Sequence, residues 1–136
     1  SFPTRRSSDL LWLQNLVNMV KGKQQCVISI LSARVGSISD NHLGGWYSYR
    51  ASKSALNMLI KTSAIEYARR AKNCKLIAFH PGTTDTELSK PFQANVPEGK
   101  LFSAEFVAKQ LLSIHQQLTF DSEAEFIDWQ GKTITW

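Results

Sequence analysis

An α/β fold built on a parallel sheet follows from three features of the chain. Two short apolar runs, Cys26–Ser32 and Cys74–His80, read as strands. Between them, from Ser48 to Ala71, apolar residues recur at helical spacing over many turns. A further helical stretch and a third short strand then follow, and strands alternating with helices mark βαβ units around a parallel sheet. At 136 residues, 43% of them apolar, one domain with a real core is the expectation.

Taken in order, Leu11–Val20 carries apolar residues at 11, 12, 13, 16, 17, 19 and 20, which fits a short, well-buried helix stopped by Gly22. The strand Cys26–Ser32 runs into a loop, Ala33–Tyr47, that holds Gly36, Gly44 and Gly45 and is long enough to be functional. The helix Ser48–Ala71 has apolar positions spread widely enough for more than one buried face. The strand Cys74–His80 is halted by Pro81-Gly82, and Thr83–Lys90 reads as irregular or briefly helical. Pro91–Lys100 is loop. Ser103, followed by Glu105, predicts a capped helix start, with the helix reaching about Leu118. Ala124–Asp128 is a short strand, and Gly131 turns the chain into a tail ending at Trp136.

The net charge is +5, and its densest basic cluster, Arg69, Arg70, Lys72 and Lys75, surrounds a helix end, where cations complement the helix dipole. No aromatic platform is interleaved with these charges, so nucleic acid is not expected as a partner. No apolar run approaches the length of a membrane span, and nothing resembles a signal peptide, so a cytoplasmic protein is expected. Cys26 and Cys74 read as buried free thiols. His42 and His115 have no metal-ligand partners at suitable spacing, and no metal is expected.

Residues 1–10, Ser-Phe-Pro-Thr-Arg-Arg-Ser-Ser-Asp-Leu, are similar to the translation of a common sequencing-library adapter. The expectation is a non-native leader over residues 1–10 and a single fold portion over residues 11–136, whose parent extends upstream.

The chemistry concentrates in Tyr49-Arg-Ala-Ser-Lys53, with Ser32 seventeen residues upstream of Tyr49. A phenol and an ammonium four residues apart on a helix share one face. A free phenol has a pKa of about 10, and a nearby cation lowers it toward the range of useful proton transfer. A serine hydroxyl reaching the same point can hydrogen-bond the oxygen that is being protonated. His80, Asp85 and Ser32 do not read as a hydrolase triad, because the Gly-x-Ser-x-Gly elbow is missing.

In context (strand, serine, glycine loop, Tyr-x-x-x-Lys, long helix, strand, Pro-Gly-Thr) the chain resembles the C-terminal half of a short-chain dehydrogenase/reductase. Within that superfamily it is most similar to the C-factor-like and Sniffer-like carbonyl reductases. The strings that carry this are Leu31-Ser-Ala-Arg-Val-Gly-Ser-Ile-Ser-Asp40, Gly44-Gly-Trp-Tyr-Ser-Tyr-Arg-Ala-Ser-Lys53, His80-Pro-Gly-Thr-Thr-Asp-Thr86 and the ending Asp128 to Trp136. The resemblance implies half of a doubly wound Rossmann fold and an NAD(P)-dependent oxidoreductase that reduces an aldehyde, ketone or quinone. Ser32 would orient the substrate carbonyl, and Tyr49 would be the general acid. Lys53 would lower the Tyr49 pKa and hold the nicotinamide ribose. Pro81 and Gly82 would turn the chain beside the nicotinamide, and Thr84 and Thr86 would contact its carboxamide and phosphate region. Tyr47 would be a wall residue. The glycine-rich phosphate loop, the residue that selects NAD or NADP, and the helix asparagine of the family's catalytic tetrad have no match here, with NADP slightly favoured. The resemblance also implies a homodimer or homotetramer for the parent, which this chain alone would not replace as an active enzyme. A signalling or binding role of the C-factor type is the alternative.

Overall fold

A computed structural model describes the backbone of residues 2–87 and 89–136, with the side chains of these residues other than 2–7 and 92. Helix α1 (Phe2–Val20) leads into strand β1 (Cys26–Leu31), a 3-10 turn at Arg34–Gly36 and helix α2 (Tyr47–Arg70). Strand β2 (Cys74–His80) and the two-residue strand β3 (Thr83–Thr84) follow, then a 3-10 turn at Lys90–Asn95 and β4 (Leu101–Phe102). Helix α3 (Ala104–Gln116) and strand β5 (Glu125–Asp128) complete the order. The class is α/β, with a parallel three-stranded sheet ordered β1-β2-β5 and a small parallel pair β3-β4.

Strand β2 is the centre of the sheet and is buried along Cys74–Phe79. Its residues alternate between two layers, as the pleat requires. Leu76 and Ala78 join Leu13 and Val17 of α1, Leu56, Ile60, Ala64 and Tyr67 of α2, and Phe126 of β5. Ile77 and Phe79 point the other way, to Val107 of α3 and Ile127 of β5. The helices therefore cover opposite faces: α1 and α2 on one, α3 on the other. The register runs from Cys26 opposite Cys74 to Leu31 opposite Phe79, so the carboxyl ends of β1 and β2 finish together.

Several boundaries fall where expected and for the expected reasons. Strand β2 ends at Pro81-Gly82, and Ser103 caps α3, its hydroxyl accepting from the Phe106 N–H at 3.1 Å. Other features differ. Helix α1 takes in residues 2–10, which the sequence reading left outside any element, and Pro3 sits in its first turn, where a missing N–H costs nothing. Strand β1 stops at Leu31, one residue before Ser32. Neither helix is buried all round. Helix α1 buries Leu13 and Val17 but exposes Leu11, Trp12 and Met19, while α2 buries 56, 57, 60, 63, 64 and 67 and leaves Met58 and Ile65 exposed. Strand β3 and the turn at Lys90–Asn95 lie in stretches read as irregular or loop, and β4 lies in the two residues between that loop and the helix start, which were given no element.

Lys75 is not part of a solvated helix cap. Its side chain is wholly buried and its Nζ reaches Asp121 at 2.6 Å and Glu125 at 3.7 Å, which holds the Asp121 carboxyl below the usual carboxylate range. Cys74 is buried and Cys26 only partly so, both thiols being free. The Cys74 Sγ lies 3.9 Å from the Val20 carbonyl at the end of α1, and burial, with Cys26 beside it, pushes this thiol up to about 11. The tail beyond Gly131 returns to the core. Ile134 is buried, and Trp136 stacks at 5.3 Å on Phe126. Among the described residues, no helix is long and apolar enough to cross a membrane.

Candidate active site

The carboxyl ends of parallel strands are where open α/β sheets present ligand sites, and the start of α2 lies at that end. The approach to α2 is a sharply coiled segment in which Gly44, Gly45 and Trp46 all have positive φ, at 67°, 70° and 49°. Trp46 has a Cβ, so its left-handed conformation is strained unless something holds it. Arg50 does. Its guanidinium donates to the Gly44 carbonyl (Nε 3.2 Å, Nη2 3.0 Å) and to the Gly45 carbonyl (Nε 3.0 Å), and its backbone N–H donates to the Trp46 carbonyl at 2.9 Å. The turn sets Trp46 edge-on to Tyr49, with ring centroids 6.4 Å apart.

Tyr49 is 48% exposed on the first turns of α2, and burial of the remainder pushes its phenol above the ordinary value of 10. The sequence reading expected Lys53 to draw that value down. The ammonium donates to the Leu31 carbonyl at 3.3 Å, at the end of β1. Desolvation is the cause that acts on the phenol here.

Ser32 follows directly. Its backbone N–H donates to the Phe79 carbonyl at 2.8 Å, and its side chain, in a residue only 5% exposed, donates to Asn57 Oδ1 at 2.6 Å. The structure therefore brings Ser32 and Lys53 to the same face of α2, with the Ser32 hydroxyl hydrogen-bonded to Asn57. Asn57 is a residue that sequence reasoning missed. Its position two helical turns beyond Tyr49 was the available signal. Ser37 is buried too, donating to the Thr135 carbonyl while accepting from the Asp40 N–H.

His80 closes the same end of the sheet. Its Nδ1 accepts from the Arg34 N–H at 3.2 Å. Burial, reinforced by the Arg34 charge and opposed by Asp128, brings its pKa down to about 4, so the ring is neutral at physiological pH. Arg34 bridges to Asp128 at 3.2 Å and to Asp40 at 3.6 Å. His115, which has no metal-ligand partners at suitable spacing in the sequence, lies 2.7 Å from the Ser29 hydroxyl on the other face of β1.

Beyond β2, Gly82 has φ +72°, and a Cβ there would come within 2.8 Å of the Phe102 ring and 3.2 Å of Trp129. Only glycine fits that turn. Pro81 precedes it, half-buried. Thr84 pairs in register with Phe102, and its Oγ1 is buried with no hydrogen-bond partner among the described residues. Thr86 is exposed, its N–H donated to the Ser89 hydroxyl at 3.2 Å in a local turn.

The short chain dehydrogenase family model matches residues 10–97. Among curated proteins, the chain is 32% identical over 109 residues to the 1-hydroxy-2-glutathionyl-2-methyl-3-butene dehydrogenase of Rhodococcus sp. (strain AD45), covering 80% of this chain and 46% of that protein. It is 28% identical, over 80% of this chain and 60% of the relative, to the C-signal protein of Myxococcus xanthus. Among solved structures, the NADPH-bound carbonyl reductase from chicken fatty liver superposes with a TM-score of 0.68 at 25% identity, covering 91% of this chain and 48% of that one. The chain thus spans about half the length of the relatives it matches, and its three-stranded sheet is part of their doubly wound Rossmann fold. On the family model and this fold together, the chain belongs to the short chain dehydrogenase family.

Proposed function

We propose that residues 11–136 are the catalytic half of an NAD(P)-dependent reductase of small carbonyls, in which Tyr49 delivers the proton to the carbonyl oxygen. One observation carries this reading. Tyr49 stands half-exposed at the carboxyl end of the parallel sheet, followed one helical turn later by Lys53, whose ammonium is fixed on the Leu31 carbonyl. Burial holds the Tyr49 phenol above 10, so it enters the step protonated at neutral pH. The Lys53 charge, on the same helix face, favours the phenolate that the transfer leaves behind. In the reverse direction Tyr49 accepts the proton.

The residues at the second strand end fit a nicotinamide group. Thr84 Oγ1 is a buried polar atom still lacking a partner, beside a turn at Gly82 too tight for any side chain. Pro81, Gly82, Thr84 and Thr86, with Tyr49 and Lys53, are the residues that hold it on this reading. When bound, that group supplies the hydride. The NADPH-bound chicken enzyme supports a nicotinamide cofactor, and NADP is the form proposed. The parent is proposed to act in the cytoplasm as a homodimer or homotetramer, to take an aldehyde, ketone or quinone, and to bind neither nucleic acid nor membrane. The 136-residue chain alone is proposed to be inactive.

The test is the polypeptide extended upstream by its native coding sequence. With NADPH it should reduce small aldehydes, ketones or quinones, and Tyr49→Phe should lower turnover by about 10³-fold. Unchanged turnover in that variant would sink the assignment, and NADPH-dependent turnover by the 136-residue chain alone would contradict its proposed inactivity. The likeness to the C-signal protein favours a second reading, a signalling or binding role that needs no catalysis. A biological effect that survives Lys53→Met in a folded protein would select it.

A further inference from the structure

Asn57 has no evident reason to be where it is. An amide in the middle of a helix is a poor helix former, and this one is 4% exposed, so burial must be compensated by hydrogen bonds. Its Oδ1 receives the Ser32 proton at 2.6 Å, while its Nδ2 has no partner among the described residues. Gly36 lies against it. A Cβ at Gly36 would come within 2.9 Å of Asn57 Nδ2 and equally of the Lys53 carbonyl carbon and Cβ. The Ser54 hydroxyl donates to the Gly36 carbonyl at 2.9 Å, and Lys53 Nζ donates to the Leu31 carbonyl at 3.3 Å. The end of β1 and the turn after it are thereby fastened to a single face of α2, at Leu31 by Lys53, at Ser32 by Asn57 and at Gly36 by Ser54.

We propose that Asn57 is a positioning residue: its Oδ1 accepts a hydrogen bond from the Ser32 hydroxyl, which seats the end of β1 on α2 and so fixes Lys53 relative to Tyr49. The Ser32 hydroxyl is buried against α2, and its contact with Asn57 sets the position of the strand end from behind the exposed phenol. The role assigned to Asn57 in turnover rests on the carbonyl reductase reading, but the contact itself does not.

Two measurements separate these. In the 136-residue chain, unfolding by urea is compared for Ser32→Ala, Asn57→Ala and the double variant. The contact predicts coupling of about tenfold in the unfolding constant, the double variant being little worse than the worse single one. Additive losses overturn the proposal. If Asn57→Ala does not fold, Asn57→Ser, too short to reach Ser32, replaces it in the same cycle. In the upstream-extended enzyme, Ser32→Ala and Asn57→Ala should each lower kcat about tenfold with KM unchanged, shift the pH profile of kcat alike, and combine without further loss, while Ser32→Thr restores both. Loss of turnover confined to Ser32→Ala, with Asn57→Ala at the wild-type rate and pH profile, overturns the proposal. An extended enzyme with no reductase activity in any form refutes the functional reading alone, and the unfolding cycle still decides the contact.

Discussion

The two ends of the sheet are built differently. At the amino ends of the strands, α1 and the last turns of α2 seal the structure. Val17 and Tyr67 are essentially inaccessible, the Tyr67 hydroxyl donates to the Leu13 carbonyl at 2.6 Å, and Asn73 Nδ2 donates to the carbonyls of Val20 and Gln24. At the carboxyl ends, Tyr49, Arg34 and Thr86 are exposed, while Ser32, His80 and Thr84, at or just past the strand ends, are partly or wholly buried. Both ends belong partly to one helix. Its far turns bury a stripe of side chains, and that burial holds the near turns in place with a half-exposed phenol on them. Stability is concentrated away from the chemistry, and the contrast can be tested from the sealed end outward.

The largest effect is expected at the sealed end. Tyr67→Ala should cost about 4 kcal/mol of unfolding free energy in urea titration, through the lost ring and its hydrogen bond to the Leu13 carbonyl. A loss below about 1 kcal/mol would mean that this end is not the anchor. Next comes acid. The folded-state pKa of His80 is depressed from 6.5 to about 4, so the unfolded chain binds the proton first. The associated stability is present above pH 6.5 and is lost as pH falls toward 4, by at most about 3 kcal/mol. His115, also lowered by burial, and Asp121, lowered mainly by its hydrogen bond from Lys75, act in the same direction. Unfolding titrations at pH 7 and pH 4.5 should therefore differ less for His80→Gln than for the parent sequence. A pH response unchanged by that substitution would assign the acid sensitivity elsewhere.

Gly36→Ala should cost about 2 kcal/mol, since the added methyl meets helix backbone that cannot give way. Thermal unfolding would show it, and a neutral result would imply that the end of β1 is not seated on α2. The smallest effect is expected at the exposed end. Tyr49→Phe should stay within about 0.5 kcal/mol of the parent sequence in stability. A larger loss would erase the distinction between the two ends.

Much of this was visible in the residues themselves, for identifiable reasons. Pro81-Gly82 after an apolar run leaves a strand nowhere to go, and Ser103 with Glu105 is a local capping signal, so both boundaries appear without tertiary information. Tyr49 and Lys53 could be paired by helical spacing alone. What stayed hidden depends on contacts across the fold. Lys75 looks like one more surface cation until Asp121, 46 residues later, is brought against it. Asn57 went unremarked because nothing nearby in sequence announces Ser32. The direction of the Tyr49 shift was misread for a similar reason. Spacing placed the Lys53 charge on the helix face of the phenol, but the burial that raises the phenol pKa comes from the surrounding fold and is invisible in spacing. The exposed faces of α1 and α2 are a limit of pattern reading, because periodicity shows which side chains are apolar and not which of them find a neighbour.

The in-register pair Cys26 and Cys74 gives the molecule a built-in clock for motion at the sealed end. A thiol whose pKa is pushed to about 11 is almost entirely protonated at pH 8 and unreactive toward disulfide reagents. It is also shielded by the last residue of α1. Cys26, partly accessible, should label first, and Cys74 only when α1 lifts from the sheet. The slow phase of thiol labelling therefore times how often that helix lets go.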